Sequence, residues 1–284
     1  MNERFPSGNL APSGDTAKNT LNSIAYTYDG SLEGLLSAVF ESYVRREVPS
    51  DIAPSSRLQP RLGQRVLFVE TDINKALRVR QGVCRYSDEE TFDDLRTASV
   101  SDDPHTGTIV YAFIRHVMNE GPKQGRFRPL SDILHPAVEP LLALRKSVLN
   151  ERHRMIQFMR FEHLEGGLWF ARCNPQASVV PLLMDWFSAR FNTQPFIIYD
   201  EEHDLAGVYE GTGWHLVRSD IIDIPERTAD EISMQRAWKR FYKTVAVESR
   251  YNPELRRSFM PKRLWKNITE MREDLPTDGL LSPR

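Results

Sequence analysis

Cysteine is scarce in this chain. Cys84 and Cys173 are its only two, and neither has a second cysteine two to four residues away, so thiolates assemble neither a zinc site nor an iron–sulfur cluster. A disulfide between them is not expected in a reducing compartment. The seven histidines, at 105, 116, 135, 153, 163, 203 and 215, contain no H-E-x-x-H pair and no pair at i, i+4. The ligand spacing of a helical metal site is therefore missing, and neither a metal nor a cofactor is expected. No run approaches the roughly 20 apolar residues that a membrane helix needs. Met1 to Thr20 is polar, without the apolar core of a secretory signal, so the expected location is the cytoplasm, with no membrane partner. G-x-G-x-x-G, Walker and G-x-S-x-G strings are all absent, which removes the usual nucleotide-binding and nucleophile-elbow readings. Nor does either sign of charge dominate: 37 Lys and Arg stand against 39 Asp and Glu, a net charge of -2 that argues against a uniformly basic nucleic-acid binder.

What is present is an ordinary globular composition, 40% apolar and 27% charged, in a chain long enough to bury one large core or two smaller ones. Residues 1–22 are rich in Asn, Ser, Gly, Pro and Thr and read as a disordered tail. Ser23 to Tyr28 alternates like a short strand, and Asp29-Gly30-Ser31 makes a turn and an N-cap for a helix through Leu32, Leu35, Leu36, Val39, Phe40 and Tyr43. Pro49 to Pro60 reads as a loop with three prolines, and Arg65 to Thr71 as a second strand. Helical spacing then recurs as far as about Gln157, which makes residues 23–156 a mainly helical region.

From residue 157 the pattern changes. Phe158 to Phe161 and Leu168 to Arg172 alternate around Glu165-Gly-Gly167, a β-hairpin, and Val179 to Phe191 is helical. Pro195 to Asp200 and Ala206 to Tyr209 flank an acidic turn, and Trp214 to Val217 suggests one more strand. Ala229 to Ser249 is a helix on which Trp238 and Phe241 fall in an apolar line that reads as core packing. The expected fold class is thus α+β: a helical N-terminal region followed by antiparallel β-hairpins packed with helices, spanning 157–271 with basic C-terminal helices, and a flexible tail at 272–284.

Several strings occur in a recognisable order: Tyr26-Thr-Tyr-Asp-Gly30 followed by Leu32-x-Gly-Leu-Leu-x-x-Val-Phe-Glu41, Met159-Arg-Phe161, Phe170-Ala-Arg172, Phe196-Ile-Ile-Tyr-Asp200, Trp238-Lys-Arg-Phe241, Arg250-Tyr-Asn252 and Met260-Pro-Lys-Arg-Leu-Trp265. Together, over about residues 23 to 271, they resemble a bacterial family assigned to DNA repair or DNA metabolism. That family carries a domain of unknown function of the DUF4130 type and is encoded beside a radical S-adenosylmethionine protein. The resemblance implies DNA and that radical protein as partners, and the partner would have to supply the iron–sulfur cluster. Some relatives continue into a uracil-DNA glycosylase domain; only Arg272 to Arg284 follow here, so glycosylase activity is not carried over. The family favours an arginine three residues after the aspartate of its Tyr-Asp string, where this chain has His203.

Candidate sites follow from charge and position. Between Arg236 and Arg272 there are eleven Lys and Arg against three acids, with acidic segments elsewhere at Ser87 to Asp103 and Asp200 to Asp204. Arg250, Asn252, Arg256, Arg257, Lys262, Arg263 and Lys266, interleaved with Tyr251, Phe259 and Trp265, are residue types that hold phosphates and stack on unpaired bases. The alternative is that the aromatics are buried anchors and the charges pair with the acidic segments. Arg160 and Arg172, on the predicted hairpin, either grip phosphate or pair across the strands with Glu162 or Glu165. Tyr199, Asp200 and His203 at a strand end offer an acid/base group, or else an exposed hairpin turn. The leading expectation is an accessory DNA-binding component acting with the radical protein. The rivals are a glycosylase- or nuclease-like hydrolase using Asp200 and His203, and a purely structural partner subunit.

Overall fold

The computed structural model describes residues 23–120, 128–221, 223–247 and 252–272. The chain forms two compact units, Met1–Asp93 with Asp103–Pro140, and Asp94–Asp102 with Leu141–Arg284. This division falls earlier than the 156/157 change in sequence pattern.

In the first unit β1 (Ile24–Tyr28) lies between β2 (Asp51–Pro54) and β3 (Arg65–Phe68), and both pairings are parallel. All five β1 residues are buried, Thr27 included, as expected for the middle strand of a parallel sheet. Strands β1 and β3 fall where alternation placed them, inside a region that is otherwise mainly helical. Strand β2 falls inside the segment expected to be a loop, because four residues ending in proline carry too little pattern to announce an edge strand.

Helix α1 (Leu32–Arg45) connects β1 to β2, and Ser31 caps it by accepting from Gly34 N at 2.9 Å. Asp29 braces the turn, accepting from Ser31 N at 2.9 Å and from Thr71 Oγ1 at 2.8 Å. A side chain at position 34 would place its Cβ 2.3 Å from Asp29 Oδ1, so anything larger than glycine would displace the carboxylate that braces the turn. Asp72 caps α2 (Ile73–Tyr86). The chain continues through α3 (Glu89–Ser99) into α4 (Thr106–Glu120), which buries Val110, Phe113, Ile114 and Val117. Thr108 Oγ1 accepts from Ile52 N at 2.9 Å, fastening α4 to β2.

The second unit is built on a five-stranded sheet in the order β4-β5-β6-β7-β8: Phe161–His163, Trp169–Cys173, Phe196–Asp200, Leu205–Tyr209 and Trp214–Arg218. Three neighbouring pairs are antiparallel, but β5 and β6 run parallel, joined through α6 (Val180–Arg190). The expected antiparallel hairpins, β4–β5 and β6–β7 with a helix between them, are present, and the parallel β5–β6 pairing that joins them makes the sheet mixed within the expected α+β fold. Helix α5 (Val138–Phe158) and α6 contribute Val148, Met155, Leu183, Met184 and Phe187 to the main core, beside Ile198 and Tyr209 of the sheet. A smaller cluster of Leu164, Phe170, Tyr199 and Ala206 lies apart from it, as strand alternation requires.

After β8 the chain returns to the edge of β4, where Glu165 N donates to Glu226 O at 2.8 Å and Thr228 N donates to His163 O at 3.1 Å. Thr228 then caps α7 (Ala229–Val245), and Asn252 caps α8 (Pro253–Phe259). Two 3₁₀ turns, Lys262–Asn267 and Thr269–Met271, tuck Leu264 and Ile268 into the main core. Among the described residues no helix is long and apolar enough to cross a membrane.

Candidate functional site

Asp200 ends β6, and the parallel register sets it opposite Cys173 of β5. It is 0% exposed, so it is not part of a solvated turn. Its Oδ1 accepts from Glu202 N at 3.0 Å and from His203 N at 3.3 Å, while Oδ2 lies 2.6 Å from His203 Nδ1. The other imidazole nitrogen, Nε2, lies 2.8 Å from Asp102 Oδ2. Burial opposes a charge on His203, but the hydrogen bonds to Asp102 and Asp200 outweigh it and raise the pKa to about 9. Burial also holds the Asp200 carboxyl above its ordinary value, with His203 pulling in the opposite direction.

With its pKa near 9, His203 carries both N–H groups at neutral pH, and each is donated to a carboxyl oxygen, one of Asp200 and one of Asp102. In this arrangement His203 has no free lone pair with which to take a proton from a substrate. Tyr199 faces the other cluster, and its hydroxyl donates to Ser219 O at 3.3 Å, so it does not join this group. Asp102, which does, lies in the acidic segment noted in the sequence, but nothing local to it points to His203. Among the described residues no group of three or more His, Cys, Asp or Glu is arranged to hold a metal ion.

The C-terminal basic set is dispersed rather than gathered. Arg250 and Tyr251 lie outside the described residues. Asn252 spends its side chain on the α8 cap, accepting from Leu255 N at 2.9 Å. Arg263 donates to both oxygens of Glu151 at 2.7 Å and to Asn174 O at 2.9 Å, and Glu151 is only 3% exposed. Lys266 pairs with Glu201 at 2.8 Å, and Arg172 stands 3.5 Å from the same residue with its guanidinium over the Phe170 ring. Arg160 pairs with Glu270 at 2.8 Å, not with Glu162 or Glu165. Glu162 instead receives Arg227 and Arg272. Arg256 lies 4.9 Å over the Trp265 ring, whose Nε1 donates to Met260 O at 3.0 Å against the main core. Arg257 donates to Pro253 O, and Lys262 is exposed. Acidic residues drawn from across the unit thus engage most of the described cations.

Helix α7 is the exception. None of its 17 residues is buried. Trp238 is 41% exposed and Phe241 55%, which corrects the expectation that they pack in the core. At 3.6 residues per turn, Met234, Trp238, Phe241 and Val245 line one flank. Arg236, Arg240 and Lys243 line the opposite flank, all exposed and without a carboxylate partner among the described residues. The indole is nonetheless held in place: Trp238 Nε1 donates to Glu270 Oε2 at 3.0 Å, and Glu270 Oε1 accepts from Arg160. Burial works against the charge on Glu270, but these bonds keep its carboxyl below its ordinary value. The Trp238 and Phe241 rings lie 5.7 Å apart with 29° between their planes.

No curated protein matches the chain. A family model described as a domain of unknown function, DUF4130, matches residues 104–270. The matched segment contains the five-stranded sheet, His203, α7 and the Glu270 brace, while Asp102 falls just ahead of it. Because the match covers well over half of the 284 residues, the chain belongs to the DUF4130 family.

Proposed function

We propose that this protein is an accessory DNA-binding component of a DNA repair or modification system, working beside a radical S-adenosylmethionine protein. The observation that carries the DNA-binding part is the open basic flank of α7. Arg236, Arg240 and Lys243 recur at helical spacing, are exposed, and have no acidic partner among the described residues, unlike Arg160, Arg263 and Lys266. Unpaired, aligned cations are what a phosphate backbone engages, by release of its condensed counterions. The contact surface proposed here is therefore α7 rather than the Arg256 to Lys266 segment. The role beside a radical enzyme is supported by the ordered sequence strings set out above.

The test is fluorescence anisotropy of labelled DNA with the full chain at low salt, compared with the Arg236→Gln, Arg240→Gln, Lys243→Gln triple variant. These side chains are solvent-exposed, so the variant should keep its melting temperature while losing affinity by roughly tenfold or more, as expected when several phosphate contacts go. Unchanged affinity in a folded variant would remove α7 from the interface. Recovery of the radical protein on a tagged chain tests the partner separately.

A further inference from the structure

The flank of α7 opposite the cations calls for its own account. From Arg236 to Lys243 there are four cations and no acid, a charge pattern complementary to an anionic ligand. Across the helix from those charges, Trp238 and Phe241 form a stacked pair of rings that stays 41% and 55% exposed, where most aromatic side chains would be buried. Trp238 is not loose: the Arg160–Glu270–Trp238 chain of hydrogen bonds sets the plane of the indole. A ring already fixed in orientation loses little freedom when a ligand packs on it. Between the two flanks the outward positions hold Ser233, Ala237 and Thr244, short enough to let a strand cross the helix closely.

We infer that the DNA bound along α7 is single-stranded, with unpaired bases stacking on Trp238 and Phe241 while phosphates meet Arg236, Arg240 and Lys243 across the helix. The inference rests on the DNA-binding reading above and names its substrate class. A duplex keeps its bases stacked on one another and offers the rings no face; an unpaired strand offers one at every nucleotide. Arg160 and Glu270 are positioning residues here, acting through the indole and not on DNA.

The experiment compares labelled oligothymidylate with a duplex of the same length, using the full chain and the Trp238→Ala, Phe241→Ala double variant. The double variant should bind oligothymidylate roughly tenfold more weakly or worse, with duplex binding within about twofold of the parent. A second variant, Trp238→Phe, keeps a ring but loses the N–H to Glu270; it serves if the double variant fails to fold. It should lose part of the single-strand affinity and also most of the tryptophan quenching that oligothymidylate causes in the parent. Equal losses on both DNA forms, undiminished single-strand binding, or quenching that survives Trp238→Phe would overturn the inference. These results differ from failure of the DNA-binding reading itself, in which the parent chain binds neither DNA form at low salt.

Discussion

His203 shows how one residue's neighbours decide its chemistry. A histidine three positions after an aspartate reads as a catalytic pair, yet here both ring nitrogens are used, one by Asp200 and one by Asp102. Its proton is held more tightly in the folded chain than in the unfolded one, with the pKa raised from an ordinary 6.5 to about 9. The stabilisation this provides is complete below about pH 6.5 and is lost as pH rises through about 9. Urea unfolding midpoints of the parent chain should therefore fall between pH 7 and pH 9.5. Replacing His203 with Leu leaves Asp200 buried without its cation, a change that costs about 3–5 kcal/mol at neutral pH. Because Asp200 is already biased toward its neutral form, that deficit should shrink as the medium is acidified. A deficit that stays constant with pH would mean that the triad does not carry the charge assigned to it.

At the scale of elements, packing adds what local pattern does not contain. The apolar spacing of α1, α5 and α6 is long and regular enough to be read directly, and each turns its apolar face inward. Strand β2 is too short to be read, and the parallel pairing of β5 with β6 is not written in the alternation of either strand. Periodicity revealed that α7 has an apolar line, but not that nothing buries it. The same holds for the site: Asp200 and His203 are close in sequence and were legible together, whereas Asp102 lies 101 residues from His203 and joins them only through the fold. Close approach of elements is equally invisible beforehand. A Cβ on Gly107 of α4 would come 2.3 Å from Ile52 O on β2, a backbone atom that cannot rotate away. Gly107→Ala should accordingly force helix and strand apart and cost about 1–3 kcal/mol or more, despite its better helix propensity. Thermal melting decides this, since a variant as stable as the parent would show that the contact is looser than drawn.

For the whole molecule, the net charge of -2 gives no long-range attraction toward a polyanion, so any DNA affinity must be local. Eleven Lys and Arg lie between Arg236 and Arg272, and if all of them met phosphates, the logarithm of single-strand affinity would fall with that of salt at a slope of about -7 to -8. The fold divides that set. Arg263 and Lys266 are committed to Glu151 and Glu201, Arg272 is committed to Glu162, and Arg256 lies over Trp265. Among the described residues Arg236, Arg240 and Lys243 remain open together on α7, while Lys262 is exposed apart from them and Arg257 is bonded to a backbone oxygen. Three phosphate contacts predict a slope of only about -2 on a single strand. Stacking on Trp238 and Phe241 carries no charge, so it should leave a salt-resistant remainder at high ionic strength. Titrations of oligothymidylate across a salt series measure both quantities. A slope near -2 with residual binding places the strand on α7, whereas a slope several units steeper would mean that the internal ion pairs open to DNA and that the C-terminal basic set binds as a whole.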